Sequence, residues 1–218
     1  PGQATGSGLG SSQANGAILV IDTDPADVDP DGEGKYRHQI GTIPDQGQQP
    51  FSITATSDPR VMVFTNRLSD STGFGAIRAS ADRLSWTVSY VPLHLGPATD
   101  SFDVNNAAGI AVLKDLSYAF VLGYNRFIQG DASHDPNLNQ LHPAGSNVGI
   151  IRNPFGNPAD NDPQKRPSLV AATRPIPLGF ADSLLLSPDG RFLYASYTVQ
   201  NAVFVFDVEQ ILDTVEDP

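Results

Sequence analysis

Three aspartates between residues 27 and 31 have the spacing of oxygen ligands in calcium-binding loops. Asp27, Asp29 and Asp31 alternate with other residues and are followed by Gly32, which gives the pattern Asp-x-Asp-x-Asp-Gly. Alternate positions can turn their carboxylates towards one point, and the glycine permits the sharp bend that such a loop requires. The pattern predicts a Ca²⁺ site in this loop.

The predicted calcium loop differs from an EF-hand. An EF-hand places a bidentate Glu at the twelfth position of its loop, and the residue at that position counted from Asp27 is His38. We therefore expect a loop of another type, in which Asp22 or Asp24 completes the coordination shell. The alternative interpretation is a solvated acidic connection between two strands that binds no metal.

A second candidate site lies in the long segment from Phe127 to Pro167, which we assign as an insertion between two strands. Segments much longer than ordinary turns are usually functional or disordered, and this one contains His134, Asp135 and His142. These side chains predict a metal or polar binding site, although the spacing of the two histidines matches no common zinc pattern. A contact surface for a partner and a plain elaboration of a turn are the other two interpretations.

The composition restricts the classes of partner. The 218 residues include 24 acidic and 13 basic residues, and the net charge is −11. This charge argues against binding to a nucleic-acid backbone or to an anionic membrane surface. No apolar run is long enough to span a membrane as a helix, and the absence of cysteine excludes disulfides and thiolate metal sites. The acidic composition is compatible with an extracellular or cell-surface location.

Three hairpin patterns repeat along the chain. Asp58, Asp115 and Asp189 each stand between two runs in which apolar residues lie three and five residues before and after the aspartate. This alternation predicts β-strands. Asp favours a tight turn between them, most strongly in the third copy, where Gly190 follows the aspartate. The chain therefore contains repeated antiparallel hairpins.

Further strands follow these hairpins at regular intervals. The third strands are Ala17–Asp22, Phe74–Arg78, Val148–Arg152 and Ala202–Asp207, and the fourth strands are Tyr36–Ile43, Ser85–Pro92 and Ser168–Pro175. Four antiparallel strands per repeat are typical of a propeller blade. The predicted fold is all-β: a partial, incomplete β-propeller built of four-stranded antiparallel blades.

The predicted organisation starts with a linker over residues 1–16, and a β-propeller segment occupies residues 17–218. That segment holds the third and fourth strands of one blade, two whole blades at about 51–103 and 104–182, and the first three strands of another at 183–208. Propellers close with typically four to eight blades. We therefore expect the remaining blades to come from the parent chain or from another subunit.

Two predictions concern the core and the end of the chain. Phe204 and Phe206 alternate with Val203 and Val205, which predicts a strand that is buried on both faces. Trp86, the single tryptophan, is predicted to pack between blades. A brief helical turn is expected over residues 208–215.

The last repeat carries a recognisable blade signature. Ser187–Ser196 (SPDGRFLYAS) followed by Asn201–Val208 (NAVFVFDV) resembles the repeats of YVTN-type and lactonase-like β-propellers. In the middle repeats the match is weaker, since Asp115 is followed by Leu116 where the last repeat has glycine. The resemblance implies the propeller fold. It does not carry an activity, because this fold serves enzymes, scaffolds and surface proteins alike.

The resemblance also implies where an enzyme of this type would place its polar groups. Lactonase-like propellers hold acidic and His residues around the central channel, at the ends of inner strands. The corresponding candidates are Asp103, Asn105, Asn106 and Asp182. The sequence itself contains no G-x-S-x-G nucleophile elbow, and the glycines at 73 and 75 are too few for a phosphate-binding loop.

These observations favour a noncatalytic recognition or structural module of a larger secreted or cell-surface protein, with a protein or glycan as partner. The alternative is a lactonase-like or Ca²⁺-dependent hydrolase whose site is completed by further blades. Convergent carboxylates and histidines at the channel mouth would favour the hydrolase.

Overall fold

The computed structural model describes residues 16–21, 39–47, 49–67, 72–81, 85–93, 104, 106–125, 145–174, 176, 181–197 and 201–216. The described residues form strands β1 (Ala17–Ile21), β2 (Gln39–Pro44), β3 (Pro50–Ala55), β4 (Val61–Asn66), β5 (Phe74–Ala79), β6 (Trp86–Val91), β7 (Ile110–Val112), β8 (Tyr118–Asn125), β9 (Gly145–Arg152), β10 (Ser168–Ala172), β11 (Ala181–Leu186), β12 (Phe192–Tyr197) and β13 (Ala202–Asp207). A 3₁₀ helix spans Pro163–Lys165, and one α-helix, α1, spans Val208–Glu216.

These strands form four antiparallel sheets in which neighbours in sequence pair with one another. The first sheet contains β1 and β2, the second β3 to β6, the third β7 to β10 and the fourth β11 to β13. Such up-and-down sheets are propeller blades. The predicted fold class is confirmed: the chain is nearly all β, with four-stranded antiparallel blades.

The repeated aspartates make the same local contact in each hairpin turn. The Oδ1 atoms of Asp58, Asp115 and Asp189 accept a hydrogen bond from the backbone N–H two residues later, at 2.9, 3.0 and 3.1 Å. The Arg60 backbone N–H is the main group that lowers the pKa of Asp58, and the Ser187 hydroxyl is the main one for Asp189. This contact is the reason that Asp recurs at the turn.

Hydrogen bonds also join the turns of successive sheets. The hydroxyl of Ser57 donates to the carbonyl oxygen of Lys114 at 2.6 Å, and the ammonium of Lys114 donates to the carbonyl oxygen of Pro188. All three residues directly precede the turn aspartate of their hairpin. The turns of the second, third and fourth sheets are therefore linked in sequence order at one end of the sheets.

The apolar core lies between the sheets, in three layers. The layer between the first and second sheets includes Ile43, Phe64 and Ile77. The layer between the second and third sheets is centred on Val63, Val121 and Ile151, among others. The layer between the third and fourth sheets includes Phe120, Leu193 and Tyr197. Face-to-face packing of sheets thus supplies the cohesion of the fold.

The position of Trp86 agrees with its predicted place between blades. Its ring lies over Gly41 of β2, where a Cβ atom would come within 2.5 Å of the indole. Since no other residue type leaves that space free, Gly41 and Trp86 fit together across the first two sheets. Gly41 lies on β2 and Trp86 on β6, so this contact joins the last described strands of the first and second sheets.

The prediction that β13 is buried on both faces is wrong for the described chain. Phe204 and Phe206 face the third sheet and join its core layer, but Val203 and Val205 are 62% and 57% exposed. Leu185 on the same face of the sheet is 67% exposed. The reason is that no described element packs on this outer face, so only one side of the strand is covered.

We predicted that the segment from Phe127 to Pro167 is a single insertion, and this prediction is wrong. The segment contains β9 (Gly145–Arg152), which pairs with β8 on one side and with β10 on the other. The described part after β9, residues 153–167, forms successive turns and the 3₁₀ helix. The apolar run in β9 therefore belongs to the blade, and the segment consists of two connections that flank it.

The helical turn predicted over residues 208–215 is present as the nine-residue helix α1, Val208–Glu216. Asp207 caps it, because Oδ1 accepts hydrogen bonds from the backbone N–H groups of Glu209 at 3.0 Å and Gln210 at 3.4 Å. Val208 is buried, and Ile211 and Val215 also pack on the core layer between the third and fourth sheets. Within the described part of the chain, no helix has the length and apolar character needed to cross a membrane.

Candidate functional site

One face of the structure carries the ends of all even-numbered strands, and we call it the connection face. Each sheet is an antiparallel meander, so β2, β4, β6, β8, β10 and β12 end on the side opposite to the aspartate turns. The hydroxyl of Thr65, near the end of β4, donates to the carbonyl oxygen of Ala108 just before β7 at 3.0 Å. This bond joins neighbouring sheets on the connection face.

A buried polar cluster lies on the connection face between the first two sheets. Asp45 follows β2 and is 2% exposed. Its Oδ1 atom accepts three hydrogen bonds: from the backbone N–H of Gly47 at 2.9 Å, from Nδ2 of Asn66 at 3.2 Å and from the hydroxyl of Tyr90 at 2.7 Å. One carboxylate oxygen thereby joins the end of β2 to β4 and β6. We call Asp45, Asn66 and Tyr90 the Asp45 cluster.

Two acceptor atoms of this cluster lack a partner among the described residues. They are Oδ2 of Asp45 and Oδ1 of Asn66, and both side chains are buried. Nδ2 of Asn66 donates both to Asp45 and to the carbonyl oxygen of Thr72 at 2.7 Å, so the amide oxygen is the atom left without a donor among the described residues. Buried acceptors without donors are costly. The cluster is therefore rich in acceptors, and its chemistry suits donors such as hydroxyl groups.

Gly47 is required where the cluster meets the next loop. A Cβ atom at this position would lie 1.8 Å from Nδ2 of Asn66 and 2.8 Å from the Thr72 hydroxyl. The close approach of the Gly47 backbone lets its N–H reach Asp45. Asp45, Gln46 and Gly47 thus form a compact turn that is fixed by the side chains it contacts.

Burial and the neighbouring carboxylate keep Tyr90 neutral. Desolvation, together with the hydrogen bond to Asp45, raises the pKa of Tyr90 to about 12, although the backbone N–H of Gln46 acts in the opposite direction. Burial alone raises the pKa of Tyr197 to about 12. Both phenols therefore stay protonated at neutral pH, and Tyr90 is a hydrogen-bond donor to Asp45.

The raised tyrosine pKa values predict a loss of stability at alkaline pH. A pKa that is higher in the folded state than its usual value of 10 stabilises the fold fully below pH 10, and that contribution disappears as the pH rises towards 12. A titration followed at the tyrosinate absorbance should show a late phase near pH 12. Its amplitude should fall in Tyr197→Phe. A single midpoint near pH 10 with an intact circular dichroism spectrum would contradict this assignment.

Most of the site residues predicted from the sequence lie outside the described residues. This holds for the calcium-loop candidates Asp22, Asp24, Asp27, Asp29 and Asp31, for the loop candidates His134, Asp135 and His142, and for Asp103 and Asn105. The calcium site and the loop binding site therefore remain predictions. In the part of the chain that the structure does describe, no group of three or more His, Asp or Glu side chains could hold a metal ion.

The two remaining channel candidates, Asn106 and Asp182, are described. Asn106 has a left-handed backbone conformation with φ of 45°, and its Nδ2 donates to the carbonyl oxygen of Tyr124 at 2.9 Å. Its side chain thus closes the connection that precedes β7. Asp182 lies at the start of β11 and is half-buried. These two residues belong to neighbouring sheets on the connection face.

The Asp45 cluster was not predicted from the sequence. Its partners lie 21 and 45 residues away from Asp45, so no local spacing points to it. The only local signal is the Asp-x-Gly pattern at 45–47, which is typical of a turn in which the carboxylate binds the following backbone N–H. That signal predicts the turn and not its neighbours.

Comparison with known proteins supports the fold. No family profile matches the sequence, and no curated protein matches it. Among solved structures, a protein from Bacteroides uniformis assigned as a 6-phosphogluconolactonase aligns with a TM-score of 0.52 and 13% identity, over 94% of this chain and 54% of its own. A Bacteroides fragilis protein with the same assignment gives 0.51 and 14%, over 88% and 44%.

A third solved structure is the periplasmic gluconolactonase of Pseudomonas aeruginosa. It aligns with a TM-score of 0.51 and 15% identity, over 90% of this chain and 51% of its own. At such identities the likeness concerns the fold alone, which is that of a lactonase-like β-propeller. The chain spans about half the length of these three proteins.

Proposed function

We propose that this chain is part of a lactonase-like propeller that hydrolyses a sugar lactone. The observation that carries the proposal is the alignment of 88–94% of the chain with three propellers. Two of them are assigned as 6-phosphogluconolactonases and the third is named as a gluconolactonase. Since the chain covers about half of each of them, a complete ring would need further blades. This proposal reverses our preference from sequence alone, which was the noncatalytic module.

Lactone hydrolysis requires a general base and a group that stabilises the developing oxyanion. Water adds to the lactone carbonyl, the ring C–O bond breaks, and the released alkoxide takes up a proton. We assign the base to Asp182, because β11 is the first strand of its sheet and begins on the connection face. Of the two described channel candidates, Asn106 and Asp182, only Asp182 carries a carboxylate.

The net charge favours an uncharged substrate. A chain with a net charge of −11 repels an anionic ligand at long range. We therefore expect gluconolactone to be preferred over its 6-phosphorylated form. The Pseudomonas aeruginosa protein is named as a periplasmic gluconolactonase. We propose an exported location for this chain as well.

The test is acid release from gluconolactone and from 6-phosphogluconolactone, followed in a pH-stat against the spontaneous rate. We expect catalysis with gluconolactone and a loss of about 100-fold or more in Asp182→Asn, which is the usual effect of removing a general base. Asp213→Asn, on the exposed side of α1, is the matched control and should keep full activity. Equal rates with and without protein would overturn the proposal.

Calcium enters the proposal through the predicted acidic loop. We propose that Asp27, Asp29 and Asp31, with Asp22 and Asp24, bind Ca²⁺ and hold that loop. The same assay in EGTA, and with Asp29→Ala, separates a Ca²⁺-dependent hydrolase from one that needs no metal. Calorimetry with Ca²⁺ gives the binding itself, and equal heats for the two proteins would end the calcium proposal.

A noncatalytic recognition module is the second candidate. It is favoured by the described polar groups of the connection face, since Asp45, Asn66 and Asn106 hydrogen-bond within the fold. In that case His134, Asp135 and His142 would contact a protein or glycan partner. Glycan-array binding that is lost in His134→Ala, without lactone turnover, would support this function over the first.

Further blades are the third element of the proposal. The exposed residues Leu185, Val203 and Val205 of the last sheet form one apolar face, and Leu19 and Ile21 form another on the first sheet. Faces of this kind are covered by the next sheet in the three described layers. We propose that the outer faces receive the remaining blades.

A further inference from the structure

One face of the second sheet carries an arginine beside two hydroxyl side chains. In the register of β5 with β6, Arg78 lies opposite Thr87, and Ala76 lies opposite Ser89. Paired residues of an antiparallel sheet point to the same face, and neighbours along a strand alternate between the two faces. Ala76 belongs to the core layer between the second and third sheets, so all four side chains lie on the face that looks towards the third sheet.

A cleft lies between this face and the turn that follows β9. Its volume is about 310 Å³, and the third sheet contributes Phe155, Gly156 and Pro158 to its walls. We call it the Arg78 cleft, because Arg78 is the only charged residue among its described lining residues. Small-molecule sites occupy about 300–1,000 Å³, so this cleft suits a small organic ligand.

The turn that forms the far wall of the Arg78 cleft is held in place by the fold. The backbone N–H of Asn153 donates to the carbonyl oxygen of Ser117, and that of Gly156 donates to the carbonyl oxygen of Asn153, both at 2.8 Å. At Gly156 a Cβ atom would lie 2.2 Å from the carbonyl oxygen of Lys165. Phe155 packs on the core layer between the second and third sheets. The cleft is therefore formed without a ligand, which lowers the cost of binding one.

Arg78 is exposed and forms no ion pair with any residue that the structure describes. The pKa of Asp58 is lowered mainly by the backbone N–H of Arg60, and Arg78 acts on it only weakly through space. The hydroxyl of Ser89 makes no hydrogen bond to a described residue, whereas that of Thr87 donates to the carbonyl oxygen of Arg78 at 3.4 Å. Since acidic residues outnumber basic ones by 24 to 13 in this chain, an arginine without a carboxylate partner indicates a site for an external anion.

We propose that the Arg78 cleft binds a small organic carboxylate with an apolar body. The carboxylate pairs with the guanidinium of Arg78, whose planar fork matches its two oxygens, and it accepts a hydrogen bond from the Ser89 hydroxyl. The apolar body lies between Ala76 and the Phe155 ring. A phosphate dianion is disfavoured, because the cleft offers a single positive charge in a chain of net charge −11. Asp182 does not line the cleft, so the site is separate from the proposed lactone hydrolysis.

The test uses benzoate, which consists of one carboxylate on one aromatic ring. It is titrated into the isotope-labelled 218-residue chain, and the backbone amide chemical shifts are followed by NMR. We expect saturable changes at residues 76–78, 87–89 and 155–157, with a dissociation constant on the order of 1 mM for a ligand of this size. Benzyl alcohol, which keeps the ring without the charge, and inorganic phosphate should each bind at least about tenfold more weakly.

Three variants test the role of the guanidinium. Arg78→Gln removes the charge and should weaken benzoate binding by about tenfold or more. Arg78→Lys keeps the charge without the planar fork, so an intermediate affinity is expected. Arg60→Gln is the matched control, because Arg60 is an exposed arginine that precedes β4 of the same sheet and does not line the cleft. This variant should bind benzoate as the parent does.

The inference is overturned by any of three results: no saturable shifts with benzoate up to about 20 mM, equal affinities for benzoate and benzyl alcohol, or equal benzoate affinities in the parent and Arg78→Gln. Tighter binding of phosphate than of benzoate would contradict the assignment of a carboxylate. Salt provides a test on the parent chain alone, since high NaCl should weaken the binding of benzoate. A benzoate affinity that does not change with salt would also contradict pairing with Arg78.

Discussion

Replacing Asp45 with alanine is expected to lower the free energy of unfolding by about 3 kcal/mol. The substitution removes the acceptor for three donors, from Gly47, Asn66 and Tyr90, and at least two of these have no room to turn towards water. Hydrogen bonds to charged groups contribute about 1.5–3 kcal/mol each, and buried donors without a partner add a further cost. Urea unfolding followed by circular dichroism gives the measurement, with the m-value as the check on two-state behaviour.

Two conservative variants separate the hydrogen bonds of Asp45 from its charge. Asp45→Asn keeps an oxygen for the three donors and should lose only about 1 kcal/mol. Tyr90→Phe removes one donor and keeps the ring that packs edge-on against Phe64 with centroids 6.1 Å apart, so a loss of about 1 kcal/mol is expected. If Asp45→Ala and Asp45→Asn were equally destabilised, the carboxylate charge rather than the hydrogen-bond geometry would hold the cluster.

The hairpins could be predicted from the sequence because their chemistry is local. The carboxylates of Asp58, Asp115 and Asp189 bind a backbone N–H only two residues away, so the spacing in the sequence reports the turn directly. Period-two alternation then fixes the flanking strands. The fold class followed from the repetition of these two local signals.

The Asp45 cluster could not be predicted, because its contacts depend on how the sheets stack. Asn66 and Tyr90 approach Asp45 only when the second sheet packs on the first. The same reason explains the error at β13. Its alternation fits burial on both faces, but Val203 and Val205 are exposed because no described sheet packs on their face. The local sequence pattern specifies a strand, but the burial of its two faces depends on which sheets pack against it.

The three interfaces between sheets use different chemistry for the same geometry. The layers on either side of the third sheet are built from aliphatic and aromatic side chains, whereas the first layer adds the Asp45 cluster at one end. Apolar packing is non-directional, and hydrogen bonds to a buried carboxylate fix position. The Asp45 cluster therefore adds directional contacts to the packing between the first two sheets.

The first layer also depends on a glycine, and Gly75→Ala is expected to destabilise the fold by about 3 kcal/mol. Gly75 lies in β5 opposite Phe64 of β4, and a Cβ atom there would lie 2.1 Å from the Phe64 ring. Phe64 is only 1% exposed, so its ring has no free space to enter. Overpacking of a closed core costs about 1–3 kcal/mol and more where backbone must shift. Urea unfolding of the single variant gives the first measurement.

A double-mutant cycle with Phe64→Leu tests whether this clash is the cause. Phe64→Leu alone should cost about 1–2 kcal/mol through a partly filled cavity, and the smaller side chain should make room for the new methyl group. The double variant is then expected to be more stable than the sum of the single losses by about 1 kcal/mol or more. Additive losses would show that Gly75→Ala acts through the backbone of β5, and the close approach of Gly75 to Phe64 would then not be the constraint on the first layer.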